Sequence, residues 1–294
     1  MSADLATEAF AELRPRLFAI AYRLLGSVTE AEDVLQESWL AWARVDHESV
    51  VEPAAYLTTL VTRRSLDVLR SARVRRETYI GPWLPEPLLD GADQQAPAED
   101  ASDPVLLAES VRTAFLVVLE SLSPAERVAF VLHDVFGYGY AELAVALGRS
   151  EDACRQLTSR ARSHVAARRP RFDTDEQVVA SAAERFLAAS VGGDVAALVA
   201  TLHPDVELIS DGGGKARAAR RIVVGSDRVA RFFAGTLQPG AVTGAAFVTI
   251  NGAPGVVVTG ADGTRTAACI DIEDGLVRRV HLVRNPDKLR HVAV

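Results

Sequence analysis

The sequence predicts a multidomain chain: two all-α domains, the second built on a helix-turn-helix, then an α+β domain with a curved antiparallel sheet. Three observations lead there. Apolar residues recur at three- and four-residue spacing as far as residue 169, whereas short β-rich runs dominate from Val206 onward. A segment crowded with glycine and proline, residues 77–103, parts the first two helical stretches. A short helix, a glycine turn and a basic helix close the second stretch.

The first stretch, residues 5–76, opens with Leu13, Leu17, Ile20, Ala21 and Leu24 on one stripe, and Gly26 ends that helix. Thr29 and Glu32 form a capping-box pattern for the next, which runs to about Arg44 and turns Ala31, Val34, Leu35, Ser38 and Trp42 inward. That leaves Asp33 and Glu37 outside the stripe. A third helix starts near Pro53 and ends in an arginine-rich run. The linker holds an apolar island, Trp83-Leu84-Pro85-Glu86-Pro87-Leu88-Leu89, which is expected to dock on a domain, because a free tether would expose it.

Helices resume at Pro104, and Ser123-Pro124-Ala125-Glu126 is a capping box with proline at the first helical position. Tyr140–Leu147, Gly148 and a helix from Glu151 to about Arg168 make the helix-turn-helix. Its second helix turns Ala153, Cys154, Leu157 and Ala161 inward and presents Asp152, Arg155, Gln156, Ser159 and Arg162 outward. Arg and Gln can make bidentate contacts with base edges, while Arg160, Arg168 and Arg169 suit phosphates. Residues 174–200 read as helix interrupted at Gly192-Gly193. Strands follow at Val206–Ser210, Ala219–Val224, Ala241–Ile250, Gly255–Thr259, Thr266–Ile272 and Leu276–Val283, with one helix at Asp227–Phe233.

Charge narrows the function. The net charge is −7 over 294 residues, yet six arginines and one acid fall between Arg63 and Arg76, and seven arginines against two acids between Arg149 and Arg171. Asp90–Ser110 holds six acids and no base. Two basic patches separated by an acidic linker suit a nucleic acid more than the average charge suggests. Two cysteines exclude a disulfide framework, and no histidine spacing implies a metal. The uncharged run Phe232–Ala261 carries six glycines and two prolines, so it reads as turns and strands and no membrane partner is expected. The first ten residues lack the pattern of a secretion signal, and the chain is expected in the cytoplasm.

Ala31-Glu32-Asp33-Val34-Leu35-Gln36-Glu37-Ser38-Trp39-Leu40 resembles the core-polymerase-binding helix of bacterial sigma factors. Tyr56-Leu57, Leu60 and Leu66-Asp67-Val68-Leu69-Arg70 resemble the next helix of sigma region two, which holds the minus-ten strand. Residues 123–165 are similar to region four, which reads the minus-thirty-five element. With no third region between, the pattern is that of extracytoplasmic function sigma factors. Trp83-Leu84-Pro85-Glu86-Pro87, Asp211-Gly212-Gly213-Gly214-Lys215 and Asn285-Pro286-Asp287-Lys288-Leu289 resemble the hallmark segments of a subgroup with a SnoaL-like C-terminal extension, a cone that fits residues 174–290.

The resemblance implies a transcription initiation factor: residues 5–76 as region two, 77–103 as linker, 104–169 as region four and 174–290 as a regulatory extension that acts in cis. Core RNA polymerase and promoter DNA are the implied partners. Asp33, Gln36 and Glu37 would meet polymerase; Arg63, Arg64, Arg70 and Arg73 would meet the displaced strand, with Val45–Val51 as the loop that takes an unstacked base. Arg149, Arg155, Gln156, Ser159, Arg160 and Arg162 would meet duplex DNA. The three hallmark segments would join the domains. Arg63 stands where many members have asparagine, and Ala153-Cys154 where a Thr-Val pair is common, so the promoter sequence is not carried over.

Alternatives remain at this stage. Asp211–Lys215 suggests a phosphate loop but lacks the glycine and hydroxyl that one needs, at Ile209 and Ala216. His203, Asp205, Asp211, Asp271 and His281 are candidates for pocket chemistry or for a small-molecule ligand in the C-terminal domain, although none has a spacing that chemistry demands. A DNA-targeted enzyme, a ligand-sensing regulator and a polymerase-independent repressor are the rival readings. No cofactor is implied.

Overall fold

The computed structural model describes residues 3–89, 104–169, 173, 175–192, 195–237 and 240–292, which form two compact units. The first comprises Met1–Glu77, Gly91–Val111 and Phe115–Arg169; the second comprises Thr78–Asp90, Arg112–Ala114 and Pro170–Val294.

The first unit is helical: α1 (Ala3–Leu25), α2 (Val28–Trp42), α3 (Pro53–Glu77), α4 (Pro104–Ser110), α5 (Thr113–Glu120), α6 (Pro124–Phe130), α7 (Tyr140–Leu147) and α8 (Glu151–Ala166). Of the stripe expected on α1, Leu17, Ile20, Ala21 and Leu24 are buried, as are Val34, Leu35 and Trp42 of α2 and Leu57 and Val61 of α3, while Leu13 is only partly covered. Trp42 is wholly enclosed and donates its indole N–H to Ala6 O at 2.9 Å, so its one polar atom is satisfied. The cap of α2 corrects the expectation of Thr29 and Glu32. Gly26 takes φ +65°, which ends α1 and leaves Ser27 extended, and its hydroxyl accepts from Glu30 N at 3.1 Å. The Ser123–Glu126 capping box forms as read, with both reciprocal bonds present. A turn of π-helix, Val131–Val135, extends α6 to Phe136.

Two buried arginines pin these helices together. Arg23 of α1 donates to Ser110 Oγ at 2.7 Å and to Leu107 O at 3.1 Å in α4. Arg127 of α6 donates to Leu24 O at 2.8 Å and to Glu120 of α5 at 2.5 Å. Burial lowers both guanidinium pKa values, to about 10 for Arg23 and about 9 for Arg127, and both stay charged at neutral pH.

The second unit carries α9 (Glu176–Gly192), α10 (Val195–Thr201) and α11 (Ser226–Thr236). Its strands are β1 (Leu202–Asp211), β2 (Val223–Val224), β3 (Val242–Ile250), β4 (Ala253–Gly260), β5 (Arg265–Glu273) and β6 (Leu276–Val283). They pair in the order β2-β1-β6-β5-β4-β3. The expected curved sheet is present with one departure: β1 runs parallel to β6, and the sheet is mixed. The expected strand Ala219–Val224 shortens to Val223–Val224, since adjacent Arg220 and Arg221 are both exposed and pairing with β1 begins at Val223. Phe186, Leu198, Val206, Leu208, Val229, Phe233, Ile270, Val280 and Leu282 form the core between the three helices and one sheet face.

The apolar island docks on this second unit. Leu84 and Leu88 are buried; Leu88 N donates to Asn251 Oδ1 at 3.1 Å and Leu88 O accepts from Asn251 N at 2.8 Å, beside a bridge between Leu89 and Ile250. Leu84→Ala removes a fully buried side chain. It is expected to cost the second unit about 2–4 kcal/mol in urea unfolding, whereas truncating half-exposed Leu40 on α2 changes little.

Candidate functional site

Helix α8 presents its polar face as read. Arg149, Arg155, Gln156, Ser159, Arg160 and Arg162 are exposed; Cys154, Leu157, Thr158, Ala161 and Val165 are buried. Gly148 at φ +61° makes the turn after α7, and the Ser150 hydroxyl caps α8. Ala153, expected inside, is only partly covered. Three of the six face residues are held by the protein. Arg155 pairs with Glu151 at 3.0 Å and Asp152 at 2.8 Å and lies over the Tyr140 ring at 5.0 Å. Arg162 meets Asp134 at 2.6 Å and Arg160 lies 3.8 Å from Glu126. Such half-exposed pairs contribute little, and phosphates can exchange for them.

On α2, Asp33, Gln36 and Glu37 are exposed together, next to Leu40. On α3, each described arginine of the expected strand-binding set has a protein partner. Arg63 donates to the carbonyls of Val145 at 2.6 Å and Ala146 at 3.3 Å, at the end of α7. Arg64 pairs with Glu37 at 2.5 Å, and Arg70 with Asp67 at 3.2 Å. Arg73 lies on α3 but outside the residues whose side chains are described. Thr58 meets the Tyr138 hydroxyl at 3.0 Å, a second bond between α3 and the approach to α7. In the stretch Val45–Val51, Val51 is 90% exposed.

In the second unit, the three segments singled out from the sequence converge on Asp211, whose side chain is wholly buried. Its Oδ1 accepts from the Tyr79 hydroxyl at 2.5 Å and from Gly213 N at 3.0 Å. Its Oδ2 accepts from Leu84 N at 2.9 Å and from Lys288 Nζ at 2.8 Å. Lys288 also donates to Leu84 O, and its ammonium lies 4.2 Å from the Trp83 ring centroid and 5.1 Å from that of Tyr79. Asn285 Nδ2 reaches the Tyr79 hydroxyl at 3.0 Å and its Oδ1 accepts from Asp287 N at 3.1 Å. Pro85, Glu86 and Pro87 are buried; Pro87 O meets His291 Nε2 at 2.7 Å. Leu289 is buried, Pro286 exposed, and Lys215 pairs with Asp287. Burial and the Asp211 carboxylate push the Tyr79 phenol far above its ordinary range, so it is a permanent donor.

The glycines have steric reasons. A Cβ on Gly213, at φ +57°, would stand 2.2 Å from Asn285 Nδ2, and one on Gly212 would stand 2.3 Å from Ala216 O. On Gly214, at φ +72°, it would meet Ile80 of the linker at 2.9 Å. Sequence reasoning missed Tyr79, which no pattern marks, and Arg284, whose backbone N–H joins that of Asn285 on Asp211 O at 2.7 and 3.0 Å.

Of the residues considered for pocket chemistry, only Asp271 and His281 meet, with Nδ1 and Oδ2 3.6 Å apart and both side chains buried. Neither Asp271 Oδ2 nor His281 Nε2 has a hydrogen-bond partner among the described residues. Cys269 lies 4.0 Å from His281 Nδ1 and 3.4 Å from Thr113 Oγ1. His203 and Asp205 sit together, exposed or half-buried, at the start of β1, and Asp211 belongs to the cluster above.

Comparison with known proteins bears on both units. The family model for Sigma-70 region 2 matches residues 9–75, which span most of α1 and α3 and all of α2, and that for Sigma-70, region 4 matches residues 112–165, α5 through α8. The extracytoplasmic function (ECF) sigma factor SigJ of Mycobacterium tuberculosis is 44% identical over 95% of this chain and 91% of its own length. The chain belongs to the ECF sigma factors. A probable ECF sigma factor of that organism, SigI, is 31% identical over 94% of this chain and 92% of its own. The crystal structure of SigJ superimposes with a TM-score of 0.75 at 40% identity, covering 96% of this chain and 98% of that one. In this sigma factor the linker and the SnoaL-like second unit are thus part of the shared architecture.

The Asp271–His281 pair gives the sigma factor a masked pH dependence. Burial pushes Asp271 up to about 6 and His281 down to about 3; the guanidiniums of Arg279 and Arg112 oppose the first shift, and that of Arg279 reinforces the second. A raised carboxyl binds its proton more tightly folded than unfolded, so its contribution to stability falls as pH rises from about 4 to about 6. A lowered histidine does the reverse, losing stability as pH falls from about 6.5 to about 3. The two offset each other. Asp271→Asn is expected to leave His281 unopposed, so that the melting temperature drops steadily on acidification below about pH 6; His281→Gln should invert the slope. A wild-type profile retained in both variants would remove the pair as its source.

Proposed function

We propose that this sigma factor docks on core RNA polymerase through the Asp33, Gln36 and Glu37 face of α2, reads the minus-thirty-five duplex with α8 and holds the minus-ten strand with arginines of α3. The observation that supports this most is the polar face of α8, which exposes Gln156 and Ser159 above a fully buried stripe, with Arg149 exposed in the turn just before it. We further infer that the second unit regulates the sigma regions in cis, through the linker that Asp211 and Lys288 hold. The Arg63 contacts with α7 support a compact form that must open before α3 can take a DNA strand. Asp211 is fully engaged by the linker, its own glycine turn and Lys288, which favours a regulatory reading of the second unit over a catalytic one. A small ligand would have to reach the buried Asp271–His281 pair. An initiation factor works where polymerase and promoter are, in the cytoplasm, and no helix among the described residues is long and apolar enough to cross a membrane.

Run-off transcription with purified core polymerase on a promoter library tests the reading. The full chain is expected to give specific transcripts. Asp33→Lys with Glu37→Lys should weaken core binding at least roughly tenfold while costing stability only about 1 kcal/mol or less, since the one ion pair lost, Glu37 with Arg64, is solvent-exposed. Gln156→Ala should lower selectivity among promoters by about 1–3 kcal/mol at one base pair, with core binding intact. Transcription indifferent to the charge reversal would count against the polymerase face, whereas DNA binding with no transcript from the full chain would favour a repressor that acts alone.

A further inference from the structure

The loop that follows the three glycines has a charge pattern the linker contacts do not use. From Gly212 to Ser226 the chain holds Lys215, Arg217, Arg220 and Arg221 and no acid. Arg217, Arg220 and Arg221 are exposed, and no ion pair among the described residues engages them. Arg284 joins the same surface, its guanidinium donating to Arg217 O at 2.5 Å. Half-buried Asp287 is already shared by Lys215 and Arg290, and the exposed Asp262 lies within electrostatic reach of Arg284 but forms no ion pair with Arg217, Arg220 or Arg221 among the described residues. A strongly positive surface thus stands on a chain whose net charge is −7.

The loop is also fixed at both ends. At its start the Gly212 carbonyl accepts from Lys215 N at 2.9 Å and Ala216 N at 3.0 Å, and Gly213 N is tied to Asp211. At its end Val223 and Val224 pair with Leu208 and Glu207 of β1. The guanidiniums are therefore carried on a rooted loop, which lowers the entropy lost on binding.

We propose that Arg217, Arg220 and Arg221, with Arg284 beside them, form a phosphate-binding surface through which the second unit grips the backbone of duplex DNA. Guanidiniums match phosphate oxygens in a bidentate fork, and arginine outnumbers lysine here by four to one. The same chain carries a helix-turn-helix, so duplex DNA is a partner this chain meets whenever it works. Contacts of this kind position without reading sequence and make binding salt-dependent. An acidic protein surface is the competing occupant.

The test uses the full chain and a 30-base-pair duplex without promoter elements, so it does not depend on transcription and its failure is separable from failure of the sigma reading. Binding is measured by fluorescence anisotropy over a range of salt concentrations. Arg217→Gln, Arg220→Gln and Arg221→Gln combined should reduce the slope of log K against log salt by about 2 to 3, at roughly 0.9 per lost phosphate contact. Arg220→Gln alone should remove about one such step, which keeps the proposal testable if the triple variant folds poorly. Arg185→Gln is the control for net charge, since Arg185 bonds Gly275 O beside the start of β6, roughly 25 Å along that strand from Asn285; its slope should match the wild type. An unchanged slope in a folded triple variant overturns the proposal. So does loss of binding to a polyglutamate peptide with duplex binding unchanged, which would assign the surface to an acidic protein.

Discussion

A carboxylate with no access to water organises the second unit. Asp211 takes four hydrogen bonds to its side chain and two to its backbone carbonyl, from the linker, its own glycine turn and the segment after β6. A buried charge is tolerated only when paired and fully bonded, and removing one partner strands the other at a cost of about 3–5 kcal/mol. Lys288 is the paired charge, and its remaining protons go to Leu84 O and to the faces of Trp83 and Tyr79. Leu84 N, the Tyr79 hydroxyl and the tight glycine turn all serve to satisfy that pair. Apolar area alone would hold the island on many surfaces; this arrangement holds it on one.

The first unit follows a related rule with the opposite sign. Arg23 and Arg127 place cations in a helical core and give them carbonyls, a serine and one glutamate as partners. Each such arginine joins helices far apart in sequence, so helix packing inside the unit is specified by polar geometry as well as by the stripe on α1. Arg63 is different. It is exposed, and its bonds to the end of α7 are of a kind that water or a phosphate replaces at little cost. The buried arginines make the unit; the exposed one makes an exchangeable contact within it.

Helix starts and stops were legible wherever local chemistry decides them. The Ser123 capping box, the Gly148 turn and the inward Cys154, Leu157 and Ala161 of α8 needed no tertiary information, although Ala153 beside them is only partly covered. The cap of α2 was misread because Thr29 also fits the pattern, whereas the structure shows Ser27 as the extended residue, at φ −135° and ψ 124°, after the left-handed Gly26. The sheet was legible as strands but not as pairing: nothing in β1 or β6 marks them as parallel neighbours, since pairing partners lie about 70 residues apart. The linker island announced that it needed a surface, and its hallmark partners were read by resemblance. Tyr79 escaped because a lone tyrosine at the edge of the linker carries no signal, although its hydroxyl makes the shortest of the side-chain bonds to Asp211.

The most direct measurement is amide hydrogen exchange at Leu84 and Leu88 in the full chain, for the wild type and for Asp211→Asn. If the buried pair holds the linker, the substitution leaves Lys288 without its counter-charge. Protection at both amides then falls by roughly a hundredfold or more while the amides of α1 are unaffected. Protection at Leu84 and Leu88 equal to that of the wild type would mean that apolar packing alone holds the segment, and would contradict the account.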